Sequence, residues 1–375
     1  MLAALGVSAQ SIWQGTNAHG YTAYENYVIF KRAFVHLSQG LNPYAAYPAE
    51  QWDLYKYSPS FALAMAPFSV LPDWLGLGLW NLLNAAPLLW AILRLPLLRP
   101  EQRRFMAWFI LPELIISMQN SQSNGLTAAL LLLPLLAFEA ARPVQAALWA
   151  VAGGFLKIFG IFAALPALVY PLRWSRLVLA FGGGLLALSL APLLVLSPAQ
   201  LWQMYAWWGE LLREDHDASV GLSVIGWLYT WLGWAAPKLG VLLMGLATLG
   251  LSMLAVRRRP LPDNRALLWA SLLIWVVIFN HKAESPTFVI ALCGVALWYL
   301  SLGPAVLWQK VLLWTAFALA SLTPTDIFPR QIREQLVQPY VLKAVPCIAI
   351  WAIISWRLLR EWNRPALHIQ PEKTN

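Results

Sequence analysis

Long apolar runs separated by short polar joints fill almost the whole chain. Residues 126–141, 144–170, 177–196, 239–256, 266–279, 288–302 and 337–356 are each nearly free of charge. A bilayer core takes roughly 20 apolar residues per helix. Backbone groups inside it must be satisfied within the segment, so these runs read as helices rather than sheet. The pattern predicts an all-α polytopic membrane protein with about ten to twelve transmembrane helices. It forms one integral domain over residues 1–364, followed by a polar tail, 365–375, that reads as disordered. Gly153-Gly154 interrupts the 144–170 run and predicts a hairpin of two half-helices there. Residues 59–71 are short for a crossing, and Pro72-Asp73 reads as a turn. Residues 2–13 lack a basic flank and a cleavage site, so they read as an uncleaved anchoring helix.

The pattern breaks between Tyr21 and Tyr57, within a first outer loop spanning 15–57. This stretch holds three carboxylates (Glu25, Glu50 and Asp53), several cations and seven tyrosines. Tyr27, Phe30, Phe34 and Leu37 recur at helical spacing and predict a helix lying on the membrane surface. Gly40 ends that helix and Asn42-Pro43 turns the chain. Pro48 is expected to start a second short helix through Tyr55. Two such juxtamembrane helices would roof a cavity opening into the bilayer.

Composition agrees with the pattern. Apolar residues make up 59% of the chain and charged residues 11%, against about 25% charged in a soluble domain. The formal charge of +9 does not indicate nucleic-acid binding, because the cations gather at helix ends. Arg94, Arg99, Arg103 and Arg104 form one group, Arg173 and Arg176 a second, Arg257 to Arg259 a third, and Arg357, Arg360 and Arg364 a fourth. Such groups mark the cytoplasmic side. The opening loop, residues 197–223, the turn at His281–Pro286 and residues 323–333 then fall outside, on one shared face. Trp74, Trp174, Trp202, Trp207, Trp208, Trp308 and Trp362 sit at run edges, as an aromatic belt would; loop tryptophans such as Trp52 and Trp207 would also suit sugar stacking. Cys293 and Cys347 lie in apolar segments without metal-ligand spacing and read as small core residues.

The candidate chemistry lies on the outer face. Glu25 suits a general base on a sugar hydroxyl, but Thr22-Ala-Tyr-Glu25 also matches a capping box in which the carboxylate merely closes a helix. Asp53 is the competing base, ranked behind Glu25 because it reads more readily as a solvated partner of Lys56; Tyr55, Lys56 and Tyr57 close the loop beside it as substrate contacts. Lys157 lies in an apolar run, where a charge costs about 2.5–3.5 kcal/mol on insertion scales. It therefore faces a cavity or a phosphate, or snorkels from a hairpin tip. His281, Lys282 and Glu284 crowd the joint between two apolar helices, where they could bind an anionic leaving group and relay a proton. Gln119, Asn120 and Asn124 lie in an amide-rich patch suited to hydroxyl recognition or to a plain turn. Arg213-Glu214-Asp215-His216-Asp217 has oxygen and imidazole donors but reads as a solvated loop, and no metal site is expected. Arg330, with Thr325 and Asp326, offers a last phosphate contact.

The chain has no GxxxxGK[ST], GxGxxG or HExxH motif, so nucleotide-driven transport and zinc proteolysis of those types lose support. The stretch ENYVIF…LSQGLNPYAAYPAEQWDLYKYSP, then LPDW, LWNLLN, QNSQSN and GGFLKIFG, resembles glycosyltransferase family 87. The resemblance implies a GT-C-like membrane bundle with an extracytoplasmic site. It further implies a polyprenyl-phosphate sugar as donor, mannose-like hexose transfer with inversion to a lipid or glycan acceptor, and no cofactor. By the same resemblance Glu25 matches the position of the family's catalytic aspartate, one methylene longer. Lys157 matches its lysine in the small-residue block, and His281 its loop histidine. The expected setting is the inner (plasma) membrane, with membrane lipids as the surroundings. The alternative reading is a transporter or flippase of a lipid-linked or anionic solute, with Lys157 in its substrate site.

Overall fold

The computed structural model describes residues 1–217 and 220–365. The expected disordered tail lies outside the described residues but for Pro365, as do the side chains of Asp215, His216 and Asp217. The described chain is all-helical, with one isolated antiparallel bridge, Thr16 to Thr22, as its β pairing. Helices Asp73–Leu93, Trp174–Leu194 and Lys238–Arg258, of 21 residues each, are long and apolar enough to cross a membrane. Shorter apolar helices, among them Asn124–Glu139 and Pro143–Leu156, accompany them. A 16-residue helix such as Asn124–Glu139 rises about 24 Å, short of a core of about 30 Å. Helix length therefore does not establish ten to twelve crossings.

The helix ends sort onto two faces. On one, Gln102 donates to the Leu300 carbonyl (2.9 Å), Arg265 grips Glu139, and Arg259 pairs with Glu361 at 3.2 Å. This face carries the arginine groups. At the other ends of the same helices, Lys157 meets Asn124, Gln122 meets Glu284, and Lys343 meets Ser285. The polar joints thus converge on the face opposite the four arginine groups.

Helices Pro262–Ile278 and Phe288–Leu300 form the centre, buried on nearly all sides. An all-round apolar helix fits only an interior or a bilayer. In lipid, apolar surface gains little by leaving the tails, so close packing by small residues holds helices together. The hairpin inside residues 144–170 shows this. Helix Pro143–Leu156 and the 3₁₀ helix Ile158–Val169 fold back on each other. Gly153 and Gly160 lie so close that a Cβ on Gly160 would overlap the Gly153 backbone. The break falls at Lys157, whose extended backbone (φ −140°, ψ 126°) turns the chain.

Of the two helices expected in the opening loop, the first is present as Glu25–Ser38, with Tyr27, Phe30 and Leu37 buried against the protein core and Phe34 partly buried. The second is not. The Glu50 and Gln51 amides both bond the Tyr47 carbonyl (2.8 and 2.9 Å), which closes a single turn. Beyond it, the Trp52 amide donates to Glu25 Oε1 (3.2 Å) and the Leu54 amide to Asp53 Oδ1 (2.7 Å). Side-chain carboxylates have taken the donors that another helical turn would need. Residues 59–71 stay on the polar face as two short helices, Pro59–Ala64 and Ala66–Ser69. Lys31 holds their end by bonding the Leu71 carbonyl and Asp73, both at 2.9 Å.

Candidate active site

A cavity of about 460 Å³ opens on the polar face beneath helix Glu25–Ser38. Asp53, Lys56, Tyr57, Lys157, His281 and Lys282 line its charged end. Phe159, Phe162, Leu242, Trp275 and Phe279 line the rest. One chamber therefore joins a cationic pole to an aromatic and aliphatic wall.

A hydrogen-bonded chain fixes the cationic pole. Lys157 Nζ donates to Asn124 Oδ1 (2.6 Å), Asn124 Nδ2 to Gln122 Oε1 (2.7 Å), and Gln122 Nε2 to Glu284 Oε2 (2.7 Å). The ammonium also lies 5.8 Å from the centre of the Tyr57 ring, within cation–π range. Asn124 is fully buried, so its amide has no competing water. The amide-rich patch, the hairpin tip and the 280–286 joint thereby become one wall, although they lie far apart in sequence.

Asp53 and Glu25 are placed differently. Asp53 lines the cavity, with Oδ2 at 3.2 Å from Lys56 Nζ. Both side chains are about a third exposed, and such a pair contributes at most about 1 kcal/mol. Glu25 is buried and absent from the cavity lining. Its Oε2 accepts from the Thr22 amide (3.1 Å) and hydroxyl (3.0 Å), and its Oε1 from the Trp52 amide (3.2 Å). In this geometry Glu25 clamps residue 22 to residue 52. The Thr22 hydroxyl donates to Glu25 rather than capping the helix, whose N-cap is Tyr24.

The remaining candidates divide. His281, Lys282 and Glu284 reach the cavity. Tyr55 is fully buried below it and donates to the Ser58 carbonyl (2.8 Å). Gln119 points toward Gln10 (3.4 Å), and Asn120 bonds the Ile116 carbonyl (2.8 Å), both away from the cavity. Arg330 is exposed and pairs with Glu334 at 2.7 Å; its neighbour Arg333 is the one that lines a cavity.

Three contributors escaped the sequence reading. Lys343 Nζ binds Glu113 Oε1 (2.9 Å), the Ser285 carbonyl (2.8 Å) and the Ser285 hydroxyl (2.7 Å), which anchors the 280–286 joint. Lys343 is a charge inside the 337–356 run, and Glu113 is the one charge among residues 105–119, the same signal that marked Lys157. Gly221 backs the joint from outside, where a Cβ would come within 2.5 Å of the His281 carbonyl oxygen, and its φ of +55° favours glycine. Trp208, read as a belt residue, lines the cavity, and its indole donates to the Lys56 carbonyl (3.3 Å).

Apolar helices of membrane-spanning length thus surround a chamber with both a charged and an apolar wall, an arrangement suited to a membrane protein that handles a partly charged, partly apolar ligand. The sequence match agrees. Residues 55–286 match the model of glycosyltransferase family 87, well over half of the chain, and the protein belongs to that family of membrane glycosyltransferases. No curated protein matches the chain.

Proposed function

We propose that the protein transfers a hexosyl group, mannose-like, from a polyprenyl-phosphate sugar to a lipid or glycan hydroxyl on the extracytoplasmic side of the inner membrane. The observation that carries this reading is the two-part lining of the 460 Å³ cavity. A lipid-linked phosphosugar needs a cationic pocket for its phosphate and an apolar path for its tail, and both are continuous here. The arginine groups on the opposite face support an outer location for the cavity.

In the proposed step the acceptor oxygen attacks the anomeric carbon from the side opposite the phosphate. The bond from that carbon to the phosphate oxygen breaks, and the electron pair leaves with polyprenyl phosphate. Attack from behind inverts the configuration. Asp53 takes the acceptor proton, since of the two loop carboxylates, Glu25 and Asp53, it is the one that lines the cavity, while Glu284 on the facing wall is engaged by Gln122. Lys157, His281 and Lys282 stabilise the charge that grows on the departing phosphate. Glu25, occupied by three donors, holds the roof of the site. The reading is tested by incubating purified protein in nanodiscs with polyprenyl-phosphate mannose and a mixed membrane-lipid acceptor. Appearance of a mannosylated product with an inverted linkage supports it; absence of turnover with any polyprenyl-phosphate hexose contradicts it.

A further inference from the structure

A second cavity, of about 540 Å³, adjoins the first. Lys56, Lys282 and Glu284 line both, so they form the partition between them. Beyond the partition its lining adds Arg333 and Lys343, with Thr323 and Gln338 as neutral polar groups. Four cations thus face one carboxylate. Lys343 is already held by Glu113 and Ser285, and Lys56 by Asp53. Arg333 makes a single long bond of 3.4 Å, from Nη1 to the Pro324 carbonyl, which leaves most of its five donors for a ligand. Its apolar lining is limited to small or aliphatic side chains such as Leu222 and Val337, with no aromatic wall. The aromatic and aliphatic wall that a polyprenyl tail would need lines the first cavity and not this one.

We infer that the second cavity holds the acceptor, and that the acceptor carries a phosphate-type oxyanion bound by Arg333 on the far side of the Lys56–Lys282 partition. This rests on the first cavity being the donor site. The acceptor hydroxyl would then reach across the partition to Asp53, which sits at the first cavity's edge beside Lys56. A planar guanidinium matches a phosphate with paired bonds. The anion is either a phospholipid headgroup or a water-soluble sugar phosphate.

The test is direct binding to the intact protein in neutral-lipid nanodiscs, by calorimetry, with two probes: glycerol 3-phosphate in solution, and phosphatidylglycerol titrated into the discs. Wild type is expected to bind at least one probe. Tighter retention of phosphatidylglycerol would assign a lipid headgroup, and of glycerol 3-phosphate a soluble acceptor. Arg333→Gln should weaken that binding about tenfold or more, as losing a charge-assisted bond does, and Arg333→Lys should recover part of it. Arg330→Gln, outside the cavity, and Lys157→Gln, in the first cavity, should leave it unchanged. Circular dichroism and gel filtration separate these effects from misfolding. Binding of neither probe by wild type, or binding that Arg333→Gln spares and Lys157→Gln removes, would overturn the inference. Arg333-dependent binding in a protein that turns over no polyprenyl-phosphate hexose would keep the anion site and reject the donor reading instead.

Discussion

Lys157 and Asn124 meet at 2.6 Å, the ammonium of a hairpin tip against the side-chain carbonyl of a helix start. Through Gln122 the contact runs on to Glu284. The cation that the proposed chemistry needs is thereby held at a fixed point on the cavity wall.

Lys157→Met should lower turnover by about 10²-fold or more, the usual cost of losing one charge-stabilising donor. Asn124→Ala keeps the ammonium but frees it to move, and should cost about 10- to 100-fold. Steady-state transfer assays on both variants check the order of the two effects.

Glu25→Gln should act on stability. One amide oxygen cannot replace two carboxylate oxygens that accept three bonds. The expected loss is about 1–3 kcal/mol, read as a lower unfolding temperature in detergent, with turnover surviving. An unchanged unfolding temperature would show that the clamp carries no weight.

The buried ion pair predicts a non-additive cycle. Lys343→Met or Glu113→Leu alone strands a charge inside the bundle, at about 3–5 kcal/mol, whereas the double variant should recover much of that loss. Thermal unfolding of all four proteins gives the coupling. Additive losses would mean that the two ions act separately.

His36 stacks on Tyr47 (ring centres 4.0 Å apart) and lies 3.2 Å from Glu50. Burial pushes its pKa below the ordinary value, and this outweighs the opposing pull of Glu50. The folded chain thus favours the neutral ring. Its contribution to stability is fully present above the unfolded value of about 6.5 and is lost as pH falls through the lower folded value. Unfolding temperature should therefore drop between about pH 7 and pH 5, and His36→Gln should flatten that drop.

The membrane class and the polar face were legible because charge is excluded from apolar runs except at joints, and Lys157 stood out by breaking that rule. Glu113 and Lys343 broke it too, but a pairing across 230 positions has no local signature. The absent second juxtamembrane helix has a similar cause. Pro48 is a sound helix start, yet Glu25 captures the Trp52 amide from 27 residues away. The choice between Glu25 and Asp53 likewise depends on which carboxylate the folded loop turns toward the cavity, and residue type alone does not set that direction.

The most direct measurement is transfer from a polyprenyl-phosphate hexose by wild type, Asp53→Asn and Glu25→Gln, each shown to be folded. Loss of turnover by about 10²- to 10⁴-fold in Asp53→Asn, with Glu25→Gln within about tenfold of wild type, is the expected result. Full activity in Asp53→Asn, or an equally deep loss in Glu25→Gln, would contradict Asp53 as the base.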